Sequence, residues 1–140
     1  MRIAQSLIDE MVSHAREEAP NECCGMLSAR DGEAVRVHRV KNADASPLRY
    51  SMDPHEQLHV EMGIDDAGLE VGAIYHSHTR SEPVPSGTDI NLALWPPDMQ
   101  PKWPGALHII VGLRDDAPPD VRAWEILAGG RYEERPLEVV

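Results

Sequence analysis

Four apolar runs limit what this chain can fold into: CCGMLSA (23–29), EVGAIYH (70–76), ALHIIVGL (106–113) and VRAWEIL (121–127). Each is short, is bounded by turn or polar residues, and reads as a strand. AVRVHRV (34–40), with Val35 and Val37 on one face, reads as the partner of the first run across the turn RDGE. RYEERPLEV (131–139) pairs back onto VRAWEIL through a Gly129-Gly130 turn, and LRYSM (48–52) is a further short strand. A chain with this many short apolar strands must bury a sheet.

The helical signals are fewer. Ser6 followed by Asp9 reads as a cap, after which Ile8, Met11, Val12, Ala15 and Ala19 recur at helical spacing up to Pro20. Asp53-Pro54-His55-Glu56 combines an N-cap, proline at the first helical position and an acid three residues after the cap, so a second helix runs to about Ala67. A third, short helix is expected from Ser86 to Trp95, followed by an irregular proline-rich stretch over 95–105. Strands and helices do not alternate regularly, which argues against a doubly wound fold. The expectation is an α/β domain spanning residues 1–140, a mixed sheet flanked by about three helices.

At 140 residues the chain can bury roughly two-thirds of the surface that it exposes when unfolded, so it needs no staples. Its two cysteines, Cys23 and Cys24, are neighbours and form no disulfide framework, which suits a reducing cytoplasm. Beside Gly25 in an apolar strand they read as small core residues, not nucleophiles. A net charge of −11 argues against nucleic acid and against an anionic membrane surface. No apolar run suits a signal peptide or spans a bilayer. Oligomeric state is open, a homodimer included.

The chemistry lies in HSHTRSEPVPSGTD, His76 to Asp89. Side chains alternate along a strand, so His76 and His78 leave its end on one face. Two histidines and an acid form a three-protein-ligand zinc set with one position left for water, and Asp89 can be the third ligand. A structural zinc would want a fourth ligand, usually cysteine. Ser86, three residues before Asp89, suits a helix cap, and its hydroxyl could also donate to a substrate oxygen that gains negative charge. Glu22, at the mouth of the first apolar strand, could line the same cleft as the base for a water molecule. His14, His38, His55, His59 and His108 fit no part of this pattern, and most are expected at the surface. Trp95 and Trp103, in the proline-rich stretch, read as partner or substrate contacts, the alternative being that they pack onto the domain.

Glu22 followed by HSHTRSEPVPSGTD resembles the JAMM (MPN-plus) metalloprotease signature: a distant Glu, His-x-His-Pro, six residues, then Ser-x-x-Asp. Thr79 stands in the proline position, as it also does in the bacterial sulfur-carrier peptidases, which IYHSHT resembles in particular. The likeness covers most of the chain and implies a single JAMM/MPN domain. It implies one Zn2+ held by His76, His78 and Asp89, with Glu22 as general acid and base and Ser86 as the oxyanion-side donor. It also implies a cytoplasmic peptidase or isopeptidase acting after the C-terminal Gly-Gly tail of a ubiquitin-like sulfur-carrier protein. The alternative is an inactive MPN-type interaction scaffold, but such scaffolds lack ligands or the Glu. Zinc deaminases need Cys-x-x-Cys, which is absent.

Overall fold

The computed structural model of the chain describes residues 1–114 and 117–140. In chain order its elements are β1 (Arg2–Ile3), α1 (Gln5–Glu18), β2 (Cys24–Arg30), β3 (Glu33–Val40), α2 (Pro54–Asp66), β4 (Glu70–His78), α3 (Gly87–Ala93), β5 (Leu94–Trp95), β6 (Gln100–Pro101), β7 (Leu107–Gly112), β8 (Asp120–Ile126), β9 (Tyr132–Arg135) and β10 (Glu138–Val139). Among the described residues eight strands make one mixed sheet in the order β10-β1-β3-β2-β4-β7-β8-β9. β4 lies inside it, antiparallel to β2 and parallel to β7. The expected mixed sheet with three helices is therefore the fold observed.

Alternation along β4 assigns its side chains to two layers. Ala73 and Tyr75 face α1, in a core with Met11, Ala15, Cys23, Leu27 and Ile109. Ile74 faces the opposite layer, with Cys24, Met26, Tyr50, Met52 and Ile64 of α2. His76 and His78 continue the second series. Gly25 keeps β2 close to Tyr75: a methyl group there would meet the Tyr75 ring. Buried aliphatic side chains of this kind stabilise by about 1.5–3 kcal/mol each.

Several local expectations are corrected. Helix α1 is capped by Ala4 without a side-chain hydrogen bond, because Ile3, in β1, is anchored in the core and the chain turns directly into the helix. Asp9 instead accepts from Gln5 Nε2 at 2.9 Å. Val35 and Val37 do not share a face: Ser28 pairs with Arg36 and Ala29 with Ala34, so Val35 is the extra residue of a bulge and is exposed while Val37 is buried. Segment 48–52 is not a strand, and Met52 makes only an isolated bridge with Asn42. The third helix ends at Ala93, since Leu94–Trp95 pairs with Gln100–Pro101 and gives the proline-rich stretch a short hairpin. The run 131–139 is two strands, β9 and β10, on opposite edges of the sheet. Among the histidines outside the motif, only His55 and His59 are exposed; His14 and His108 are buried and His38 is half-buried.

The Asp53 cap is present as expected, accepting from the Glu56 N–H at 3.1 Å with Pro54 opening the helix. Trp103 packs against the second core and donates to Glu61 Oε1 at 3.2 Å, whereas Trp95 stays 58% exposed beneath the Lys102 ammonium.

Candidate metal centre

His76 pairs with Cys24 of β2 and Ile110 of β7, and His78 with Gly112 of β7, which fixes their backbone. Asp89 comes from the first turn of α3 through a capping box. The Asp89 N–H donates to Ser86 Oγ at 3.1 Å, and the Ser86 N–H donates to Asp89 Oδ2 at 2.9 Å. The sequence pattern Ser-x-x-Asp is thus a cap and a site component together. It holds Asp89 Oδ2 3.1 Å from His76 Nε2 and 3.0 Å from His78 Nε2. The two Nε2 atoms lie 3.2 Å apart. All three residues are buried, and one potential ligand atom from each falls within 4.8 Å of the others.

The donor set fits a cation. His78 Nδ1–H donates to the Glu82 carbonyl at 2.8 Å, so its Nε2 is left with a lone pair aimed at an Asp89 lone pair. Only a positive species between them, a proton or a metal ion, turns that repulsion into attraction. The electrostatics agree. Burial raises the Asp89 carboxyl, but hydrogen bonds from His76 and His78 hold it well below the usual range. Burial lowers His78, and its hydrogen bonds to Asp89 and Glu82 more than offset this and raise it. Burial dominates at His76 and lowers it. His76 Nδ1 is buried without a partner among the described residues, and the Tyr50 ring stacks on its imidazole at 4.4 Å.

Glu22 precedes β2. Cys24 pairs with His76, so two further steps of the same antiparallel register set Glu22 opposite His78. Its carboxyl is buried, and Oε1 has no hydrogen-bond partner among the described residues. Burial pushes it up to about 8, with the His78 charge pulling it down and the Asp89 charge pushing it up. Its backbone is held by Glu22 N–H to Ser46 O (2.8 Å) and by Asn42 Nδ2–H to Glu22 O (3.0 Å). A buried carboxyl oxygen without a partner is costly in a merely structural role, and this one lies beside the candidate triad.

The loop between the second histidine and the helix is clamped. Trp124 Nε1–H donates to Pro83 O at 2.9 Å. The Pro83 ring sits over Gly112, where a methyl group would lie 2.9 Å from Pro83 Cδ and 3.2 Å from Asp120 O. Gly112 is the register partner of His78. Tyr50, Pro83, Gly112 and Trp124 were not among the sequence candidates, because each acts through a distant contact and none carries a ligand or titratable group suited to the motif. Tyr50 also lines a groove of about 440 Å³ with Met52, Leu92, Trp95 and Trp103.

Cys23 and Cys24 are buried; burial raises both thiols, Cys23 to about 12. His14 is hydrogen-bonded to the Tyr75 hydroxyl at 2.7 Å beneath the sheet. None of these joins the triad.

The family described as prokaryotic homologs of the JAB domain matches residues 4–127. The chain is 37% identical over 140 residues to the CysO-cysteine peptidase of Mycobacterium tuberculosis, covering 99% of this chain and 90% of that protein. It is 41% identical over 104 residues to the desampylase of Haloferax volcanii, covering 69% and 74%. A solved structure from Desulfitobacterium hafniense has a TM-score of 0.76 at 31% identity, covering 99% of this chain and 90% of the other. A JAB1/MPN domain protein from Archaeoglobus fulgidus has a TM-score of 0.65 at 21% identity, covering 100% and 99%, a likeness of fold.

Proposed function

We propose that this chain, which belongs to the family of prokaryotic JAB-domain homologs and is a JAMM-type peptidase, uses one zinc ion to hydrolyse the amide bond after the C-terminal Gly-Gly tail of a ubiquitin-like sulfur-carrier protein. The observation that carries this reading is the convergence of His76, His78 and Asp89 at one buried point beside the buried Glu22 carboxyl, whose Oε1 has no partner among the described residues. The activities named for the mycobacterial and haloarchaeal relatives support the substrate class.

His76, His78 and Asp89 would hold the ion, with the capping box and the His78–Glu82 hydrogen bond fixing two of the three ligands. Zinc there supplies a Lewis acid that acidifies water to a pKa of about 7 and a positive charge that favours the ionised form of Glu22. Glu22 takes the proton of the attacking water and passes it to the leaving amine. Ser86 Oγ accepts from the cap, so its own hydroxyl hydrogen is available to the carbonyl oxygen as negative charge builds on it. Tyr50, which stacks on His76, also lines the groove that holds Trp95, and an extended tail lying in that groove would pass close to the site. Glycines in that tail permit close backbone approach.

The reading takes residues 1–140 as one domain acting in the cytoplasm. Two unpaired cysteines and a net charge of −11 are consistent with that compartment and with a protein partner in place of nucleic acid. No helix among the described residues is long and apolar enough to cross a membrane.

The test is incubation of the zinc-loaded protein with ubiquitin-like carriers extended beyond their terminal glycine, with products read by mass spectrometry. Release of the extension at the Gly-Gly end, abolished by a chelator and restored by zinc, is expected. Equal digestion of an unfolded protein such as casein, or indifference to chelation, would overturn the reading.

A further inference from the structure

Glu22 lies two residues before β2, outside the described strands and helices, so the sheet ladder does not fix the peptide that carries it. The next residue, Cys23, is tied to β4: its N–H donates to Ser77 Oγ at 2.8 Å, and the Ser77 N–H donates to its carbonyl at 3.2 Å. Glu22 itself is held from the other side. Its N–H donates to Ser46 O, and its carbonyl accepts from Asn42 Nδ2. Both partners belong to segment 41–53, which among the described residues forms no helix or strand and makes one isolated bridge, Asn42 with Met52. Whatever orders this segment therefore sets the base.

Asn42 orders it. An asparagine amide has two N–H donors and two acceptor lone pairs, and all four are used here. Nδ2 donates to Glu22 O at 3.0 Å and to Arg49 O at 3.2 Å. Oδ1 accepts from the Asp44 and Ser51 N–H groups, both at 3.0 Å. The Asp44 bond, with Ala45 N–H to Asn42 O at 3.2 Å, shapes the turn that leads to Ser46, the partner of the Glu22 N–H. Arg49 and Ser51 flank Tyr50, so the chain on either side of Tyr50 is bound to this one amide, and the buried Tyr50 ring stacks on His76. Three of the four bonds close the segment on itself. The fourth leaves it for a residue twenty positions earlier, and closure of the segment does not require it.

We infer that Asn42 is a positioning residue for Glu22: through one amide it sets the Glu22 carboxyl beside the candidate ligands and ties it to the ring that packs on His76. This rests on the peptidase function proposed above. Aspartate has the same shape but presents an oxygen where both donors stand, facing the carbonyls of Glu22 and Arg49, and so pushes them away.

The experiment measures kcat, KM, zinc content and circular dichroism for the unmodified protein, Asn42→Asp, Asn42→Ala, Glu22→Gln and the double variant Glu22→Gln with Asn42→Asp. The substrate is a Gly-Gly carrier extended beyond its terminal glycine. Asn42→Asp and Asn42→Ala should keep one zinc per chain and lose about 10–100-fold in kcat, the cost of displacing a catalytic group by about an ångström, with KM within about threefold. The double variant should be no more than about threefold slower than Glu22→Gln, because Asn42 then has no proton acceptor left to position. A merely structural role would slow both backgrounds alike, and that outcome overturns the inference. So does a kcat within about threefold of the unmodified rate in either folded variant. Loss of the fold or of the zinc in both overturns it too, since Asn42 would then serve the fold and not Glu22. Each of these leaves the peptidase reading standing. An unmodified, zinc-loaded protein that cleaves no extended carrier brings down the inference together with the function on which it rests.

Discussion

The Trp124 indole on β8 donates to the carbonyl oxygen of Pro83, 41 residues earlier, across a buried 2.9 Å hydrogen bond. Pro83 follows Glu82, whose carbonyl fixes the tautomer of His78. The clamp therefore sets one candidate ligand from a strand that supplies none. Trp124→Phe keeps an aromatic ring, though a smaller one, and loses the N–H. Gly112→Ala pushes on the Pro83 ring from the other side. Each should weaken zinc binding by about 10–100-fold in a chelator competition, the usual range for groups that orient ligands. Unchanged affinity in both variants would mean that the loop is held by other contacts.

Zinc should bind at one ion per chain, and His78→Ala should abolish it. The metal-free protein should keep the circular dichroism of the native fold, because both cores lie in the sheet layers and are built without the triad. Protein purified without chelator that carries no zinc and takes up none on titration would exclude the site.

Glu22→Gln should retain the metal and lose about 10²–10⁴-fold in turnover. The amide fills the same space but cannot accept the proton. A variant within about threefold of the unmodified rate would remove Glu22 from the proton-transfer role.

His14 is held down to about 4, first by burial and then by the Arg39 charge, with Glu17 opposing. Its folded value lies below its unfolded value of about 6.5, so the native state binds fewer protons between the two. The stability that neutral His14 contributes is complete above pH 6.5 and is lost as pH falls through 4. Over that window the loss is of order 3 kcal/mol. Urea titrations from pH 7 to 4 should show it, and His14→Gln, which still reaches the Tyr75 hydroxyl but cannot charge, should flatten that part of the curve.

With their thiols raised by burial, Cys23 and Cys24 should resist iodoacetamide in the native protein and react after unfolding. Cys23→Ser and Cys24→Ser should leave the catalytic step nearly intact while lowering the melting temperature. Rapid native alkylation would show that β2 opens locally.

The parts of the molecule that read correctly from sequence are those in which a local rule and the tertiary fold agree. Asp53-Pro54 caps α2 because nothing else competes for that N-terminus. Ser86 and Asp89 were legible as a helix start because Ser-x-x-Asp is a local capping pattern that the fold keeps. Ser6 failed because β1, only two residues long, carries no alternation and yet decides where α1 begins. Val35 failed because a bulge is a property of two strands, and one strand's alternation does not reveal it. His14 was misjudged because its partner, Tyr75, lies 61 residues away. His108 lies within an apolar run buried on both faces, and that run could have announced it.

β4 is hydrogen-bonded along both edges, whereas Asp89 sits in the first turn of a seven-residue helix. In amide exchange the two should behave as different units. The amides of His76 and Ser77 should exchange only through opening of the whole sheet, and those of α3 through a cheaper local fraying. An ion shared by His76, His78 and Asp89 would tie the second event to the first. Zinc uptake should then slow exchange across residues 87–93 by far more than it slows β4, marking a boundary between the part of the molecule that is rigid on its own account and the part made rigid by what it binds.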